Sequence, residues 1–400
     1  MLNAYIYDGL RTPFGRHAGK LASVRPDTLV AGVITALMGK NTFKPEEVED
    51  VIIGCTNQAG EDSRNIARHA VLLSGLPVTT PGQTVNRLCS SGMAAVVDAA
   101  RAITCGEGDL YLAGGVENMS RAPFVFAKSE SAYSRDVRVF DSTIGARFPH
   151  PEIIVRFGNE TMPETADIVA REYGITREEA DTFAAASQAK YEAARAAGFF
   201  AGEITPVPVP QGKKPPMVVD QDEHPRADSD FAALTRLKPL FADGVVTAGN
   251  ASGVNDGAAM LLVGDSAFGE RKGIAPMARV LSAAAVGVEP RIMGVGPVGA
   301  INKALQRAGL TLKDMDIIEI NEAFAAQVLG CLKPLGIAFD DSRVNPNGGA
   351  IAVGHPLGAS GARLALTTAR QLQRSRGRYA VLSLCIGVGQ GLAMVIENHR

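Results

Sequence analysis

An alanine-rich, helix-like stretch is written twice in this chain, and each copy is entered from a glycine-bearing loop. SGMAAVVDAARAI (91–103) and SGARLALTTARQL (360–372) align at an offset of 269 (91 to 360), with Ser91-Gly92 on Ser360-Gly361 and Ala100-Arg101 on Ala369-Arg370. The apolar runs LYLAGGV and YAVLSLCIG follow the two copies and read as buried strands. A further strand pair, VIIGC and IIEIN, repeats at an offset of 266 (51 to 317). A period this long cannot be a solenoid, so it predicts a duplicated domain. Alternation of short strands with helices predicts βαβ units around a buried sheet.

Between the copies the texture changes. Residues 121–248 carry a proline cluster, TPVPVPQGKKPP, mixed charge and an amphipathic helix around 175–198, the features of an inserted loop domain. The expected division is a first half of 1–120 with 249–273, a loop domain of 121–248, and a second half of 274–400.

The formal charge of -2 argues against a nucleic-acid or membrane-surface partner, both of which need a basic excess. An anionic ligand must then be held by a few local bases. The five cysteines, Cys55, Cys89, Cys105, Cys331 and Cys385, show no disulfide framework and no zinc-ligand spacing, so no metal site is expected. No apolar run is long enough to span a bilayer, and the amino terminus lacks a signal-peptide pattern. The carboxyl end, ENHR, is not a peroxisomal signal. A reducing, cytoplasmic compartment is the expectation.

Four segments can carry chemistry. Cys89 stands just before the first repeated helix, where unpaired amides and the positive dipole end would favour a thiolate. The plain alternative is a small buried apolar residue, the usual fate of an unpaired cysteine. His355, between Gly354 and Pro356, lies in the equivalent loop before the second helix, on backbone restricted by the proline. Cys385 ends a β-run and enters a glycine-rich turn, where ligands of open α/β sheets collect. The glycines at 387, 389 and 391 do not make a dinucleotide site, because neither a long helix nor an acidic ribose ligand follows. Asn321 follows another strand, a position that is usually a simple turn or cap.

Taken together these segments resemble the thiolase family over essentially the whole chain. RTPFG, NRLCSSG, AGGVENMS, TAGNASGVNDGAA, NEAF, NGGAIAVGHPLGASG and CIGVGQG occur in the family's order. The resemblance implies an α/β thiolase fold, two βαβαβαββ halves in α-β-α-β-α layers with an inserted loop domain. It implies that Cys89 carries an acyl group, that His355 takes its proton, and that Cys385 exchanges a proton with the substrate α-carbon in a ping-pong reaction. His355, a water held by Asn321, and the amides of Cys89 and Gly387 would stabilise oxyanions. Ser90 and Val388 stand where the family more often has glycine. Coenzyme A would be a substrate, not a resident cofactor. Ser252, Arg226, Phe241, Ala248, Met162 and Phe324 carry over as its binding residues, with Lys213, Lys214 and Lys238 as further bases for its phosphates. The family also implies a homodimer or homotetramer.

Within the family TNQAGEDSRNIAR, FDSTIGARFPHP, ETMPETAD and CIGVGQG look closest to the 3-oxoadipyl-CoA branch of aromatic-compound degradation. A dicarboxylic substrate needs a cation for its distal carboxylate, for which Arg147 and Arg138 are the candidates. An acetoacetyl-CoA enzyme or a general 3-ketoacyl-CoA thiolase is the alternative. A ketoacyl-synthase-type condensing enzyme would pair its cysteine with histidines or with His and Asn, not with a second cysteine. A non-catalytic lipid-binding relative would have lost the Cys89, His355 and Cys385 set.

Overall fold

The computed structural model describes residues 1–399. The first half runs β1 (Ala4–Arg11), α1 (Pro26–Lys40), β2 (Asp50–Gly54), α2 (Ile66–Leu73), β3 (Gly82–Val85), α3 (Ser91–Thr104) and β4 (Leu110–Asn118). The intervening segment contributes α4 (Met162–Tyr173), α5 (Arg177–Ala196) and shorter pieces. The chain returns through β5 (Asn255–Gly264), then β6 (Ala278–Gly287), α6 (Gly296–Ala308), β7 (Ile317–Ile320), α7 (Ala325–Leu335), α8 (Leu357–Ser375), β8 (Tyr379–Ile386) and β9 (Gln390–Asn398). Local signals explain several boundaries. Pro26 opens α1 with Asp27 in its first turn, where a missing N–H costs nothing and a negative charge meets the helix dipole. Glu164 reaches back to accept from the Thr161 amide at 2.6 Å, a capping box that sets where Met162 starts α4.

The strands lie in the order β7-β8-β9-β6-β1-β5-β4-β2-β3. On each side of the β1/β6 seam three antiparallel strands pass into parallel pairing: β1-β5-β4 then β2, and β6-β9-β8 then β7. The seam itself is short, joining Ala4, Tyr5 and Ile6 to Val280, Arg279 and Ala278. One expected strand is missing. The second-half counterpart of β3 shrinks to a single parallel bridge between Ile318 and Val344. The next residue, Asn345, sits at φ 44 and is followed by Pro346, so the ladder loses both an extended backbone and an N–H donor.

Three apolar cores give the layering. α1 and α2 cover one face of the first half-sheet, α6 and α7 cover one face of the second, and α3 and α8 lie together between the two inner faces. Fully buried Leu364, Leu366 and Leu372 of α8 each contribute on the order of 1.5–3 kcal/mol. The middle layer depends on glycine where the two helices begin. A Cβ at Gly92 would stand 2.4 Å from the Gly358 carbonyl oxygen, and one at Gly115 only 2.0 Å from it. Backbone therefore packs on backbone, and the loops preceding α3 and α8 are held side by side.

Candidate active site

Cys89 sits in the two-turn connection from β3 to α3, immediately after Leu88 at φ 46. A left-handed leucine is strained, and here that conformation aims the connection into the helix. Cys89 as a residue is partly exposed while its sulfur is turned inward, and the amides of Gly387 and of Cys89 itself point at it. The expectation of a standing thiolate fails. Desolvation dominates and Glu117 adds a nearby negative charge, so the thiol is pushed up to about 11 despite the two amides and the helix end. At rest the group is a neutral thiol.

His355 is buried, and its neighbours fix which nitrogen is free. Nδ1 lies 2.6 Å from Ser360 Oγ, whose own proton is donated to the Pro356 carbonyl at 2.9 Å. Ser360 must therefore accept from Nδ1–H, which leaves the Nε2 lone pair available. Nε2 is 3.4 Å from Asn321 Nδ2. The loop is anchored from behind by Asn255, which accepts from the His355 amide at 2.8 Å and donates to Gly15 at 3.0 Å. Burial, reinforced by the charge of Arg363, drives the imidazole down to about 3, so it is a neutral base throughout the physiological range. Asn321 closes this group: its amide nitrogen stands at a long 3.4 Å from Nε2, which leaves the lone pair open to a stronger donor, and its buried Oδ1 has no partner. An orphaned buried acceptor is where a water or substrate donor belongs.

Cys385 pairs with Gly391 near the end of β8, and its thiol is raised well above the ordinary range by burial and by the neighbouring sulfur of Cys89. It shares an apolar cluster with Phe324, Ala323, Val246 and Met162. A methyl built on Gly387 would touch Leu88 at 3.4 Å and Met162 at 3.8 Å, so Gly387 and Met162 stand beside the nucleophile loop. Ser252 is tied to the same place: its amide donates to the Ala323 carbonyl at 2.9 Å, next to an antiparallel bridge between Ala251 and Phe324.

The remaining predicted ligand residues are more dispersed. Arg226, Ala248 and Phe241 are exposed, as are Lys213, Lys214, Lys238 and Arg138. Arg147 is half-buried and donates to the Ser142 carbonyl, which Asn57 also engages at 3.3 Å. Ser360, Asn255 and Glu117 escaped the sequence reading. Ser360 was visible as the serine of the repeated Ser-Gly pair, and Glu117 as the one acid in AGGVENMS.

Residues 4–267 match the thiolase N-terminal domain and residues 274–398 the thiolase C-terminal domain. The chain belongs to the thiolase family. As a thiolase it is an acyltransferase, and relatives match it end to end. A beta-ketoadipyl-CoA thiolase of Acinetobacter baylyi is 54% identical over 400 residues, 100% of both chains. A 3-oxoadipyl-CoA/3-oxo-5,6-dehydrosuberyl-CoA thiolase of Escherichia coli is 53% identical with the same coverage. Among solved structures, a Bacillus anthracis acetyl-CoA acetyltransferase superposes with a TM-score of 0.92 at 38% identity, covering 100% of this chain and 99% of that one. Human mitochondrial 3-ketoacyl-CoA thiolase in complex with CoA gives a TM-score of 0.90 at 38% identity, covering 100% and 98%. Among the described residues no helix is long and apolar enough to cross a membrane.

Proposed function

We propose that this thiolase cleaves 3-oxoadipyl-CoA with coenzyme A to give succinyl-CoA and acetyl-CoA, reversibly and through an acyl group on Cys89. The observation that carries the substrate is full-length identity of 53–54% to relatives named for this compound, against 42% to an acetyl-CoA acetyltransferase of Allochromatium vinosum.

The side chains support a proton path that balances. Cys89 sulfur attacks the C3 carbonyl as its proton passes to His355 Nε2. The C2–C3 bond then breaks, and the departing acetyl-CoA enolate takes the thiol proton of Cys385. An enolate is a far stronger base than any thiolate, so a thiol kept protonated by burial is a suitable donor. In the second half-reaction Cys385 thiolate takes the proton of coenzyme A, whose sulfur attacks the acyl carbon. Cys89 leaves and recovers its proton from His355. The amides of Gly387 and Cys89 are donors for the tetrahedral oxyanion at Cys89, and Asn321 is the anchor for a donor to the thioester oxygen.

Coenzyme A enters as substrate, with the 121–248 segment and Ser252, Arg226, Phe241, Ala248, Met162 and Phe324 forming its site. Arg147 supplies the charge for the distal carboxylate, and the working particle is a homodimer or homotetramer. Steady-state thiolysis of 3-oxoadipyl-CoA, 3-oxohexanoyl-CoA and acetoacetyl-CoA tests the assignment. A kcat/KM that favours the dicarboxylic substrate by at least roughly tenfold is expected, since a charge-assisted hydrogen bond to the distal carboxylate is worth about 1.5–3 kcal/mol. Equal values for all three would overturn the substrate.

A further inference from the structure

The proton path makes no use of Glu117, the acid of AGGVENMS, although it is 2% exposed and lies at the C-terminal end of β4 beside the reacting groups. Its two oxygens gather backbone amides from separate parts of the chain. Oε1 accepts from Asn57 at 3.1 Å, and Oε2 accepts from Thr56 at 3.1 Å and from Gly358 at 2.9 Å. Thr56 and Asn57 follow β2 in the first half. Gly358 lies in the first turn of α8, three residues after His355 in the second half.

The carboxylate thus bridges the two halves at the place where Gly92, Gly115 and Gly358 bring backbone against backbone. It also faces the positive end of α8, a favourable position for a negative charge; burial nonetheless lifts the carboxyl to about 7 against its three amide donors, so the charge is fully present in the alkaline range where Cys89 loses its proton. The surrounding titratable groups are Cys55 and Asp62 from the loop after β2 and Cys89 from the loop before α3, while α8 presents the Gly358 amide. Donor atoms of Cys55, Asp62 and Glu117 lie within 4.8 Å of one another, a spacing that a cation could bridge. Backbone already occupies them: Cys55 Sγ donates to the Asn57 carbonyl at 3.0 Å, and Asp62 accepts from the Gly60 amide at 3.0 Å. The cluster is a loop brace.

We propose that Glu117 is a positioning residue that locks the His355 loop against the Cys89 loop and acts on both groups without touching substrate. Its removal leaves the buried amides of Asn57 and Gly358 and the half-buried amide of Thr56 competing for fewer acceptors, at the point where base and nucleophile loops meet. The same removal takes away the negative charge that stands nearest Cys89 and helps hold its proton on.

The kinetic arm of the test rests on the thiolase reading, and the chemical arm does not. In Glu117→Gln the amide group sets N–H against N–H. The expected result is a kcat loss of roughly 10–100-fold with little change in KM, the cost of misplacing reacting groups by about an ångström. Alkylation of Cys89 by iodoacetamide, followed by peptide mass spectrometry across pH, should move to a lower midpoint in that variant. Glu117→Asp keeps the charge but is too short to reach both halves, so kcat should fall while the alkylation midpoint stays in place. A Glu117→Gln enzyme with wild-type kcat, or one with lower kcat and an unmoved midpoint, overturns the proposal. If Glu117→Gln does not fold, wild-type kcat in Glu117→Asp overturns it alone. A wild-type protein that cleaves no 3-oxoacyl-CoA refutes the thiolase reading, and the alkylation shift would still report on Glu117.

Discussion

The loops before α3 and α8 occupy equivalent places in the two halves and have diverged into opposite chemical roles. The first presents Cys89, partly exposed and preceded by a strained leucine. The second presents His355, buried and tied at both its amide and its Nδ1. Both groups are neutral at rest, the thiol because burial pushes it up to about 11 and the imidazole because burial pushes it down to about 3. Duplication supplied two adjacent loop positions at the starts of the two central helices. Divergence left one of them partly open at its cysteine and buried the other around a proton acceptor. A resting pair of this kind does not store an ion pair; proton transfer accompanies attack, when the acyl substrate has brought its own dipoles into the site.

The largest effect should come from the nucleophile. Cys89→Ala should lower thiolysis by about 10³-fold or more, the order found when a covalent nucleophile is lost, and should leave no acyl adduct in intact-protein mass spectra. His355→Ala should cost roughly 10²–10⁴-fold in kcat, the range for a general base, while Cys89 stays available for alkylation. Detectable acylation of Cys89→Ala at another residue would break the assignment of roles to the two loops. Ser360→Ala should follow with a loss of roughly 10–100-fold, as for other groups that orient an imidazole from behind. Its kcat should fall with KM held, because Ser360 selects the tautomer and contacts no substrate.

The neutral resting pair predicts a pH dependence that a standing thiolate would not show. A thiol near 11 gains about tenfold in thiolate fraction per pH unit up to that point, so iodoacetamide alkylation of Cys89 should still be climbing at pH 9–10. A plateau below pH 8 would mean that the helix end wins over burial. His355 contributes in the other direction to stability. Its folded value of about 3 lies below the unfolded value, so the unfolded chain binds the extra proton and stability falls as pH drops from about 6.5 toward 3. The loss should be smaller in His355→Gln, as read by urea unfolding at pH 7 and pH 4.5.

Much of this was legible because the repeat marks it. Ser91-Gly92 and Ser360-Gly361 located the two helices, and the loops before them contained Cys89 and His355. Asn321 and Cys385 were readable as residues at strand ends. The protonation of Cys89 was not readable, because a helix end is a local feature whereas desolvation and the charge of Glu117 depend on what the fold packs around the sulfur. Ser360 is five residues from its partner and looks like an ordinary helix serine until the ring nitrogen is seen 2.6 Å from it. The missing strand near Val344 had a signal, since Pro346 follows closely, but the symmetry of the repeat concealed it. Roles set by neighbours in sequence were visible, and roles set by neighbours in space were not.

The smallest expected effect separates the two strained positions near the nucleophile. Val388 holds φ 63 with its side chain 63% exposed, whereas Leu88 holds φ 46 and packs within reach of Gly387. A β-branched residue in the left-handed region costs on the order of 1–3 kcal/mol, and glycine removes that strain while loosening the unfolded chain by about 0.5–1 kcal/mol. Val388→Gly should therefore be stabilising by about 1 kcal/mol, a Tm rise of at most about 2 °C in a chain of this size, with activity unchanged because the Gly387 amide keeps its place. Leu88→Gly relieves the same kind of strain but removes apolar contact beside Cys89, so it should be destabilising and should lower kcat. Calorimetry and thiolysis on the two variants test the distinction. If both raise Tm and spare activity, the leucine is not shaping the nucleophile loop, and the asymmetry between the two loops rests on His355 and its anchors alone.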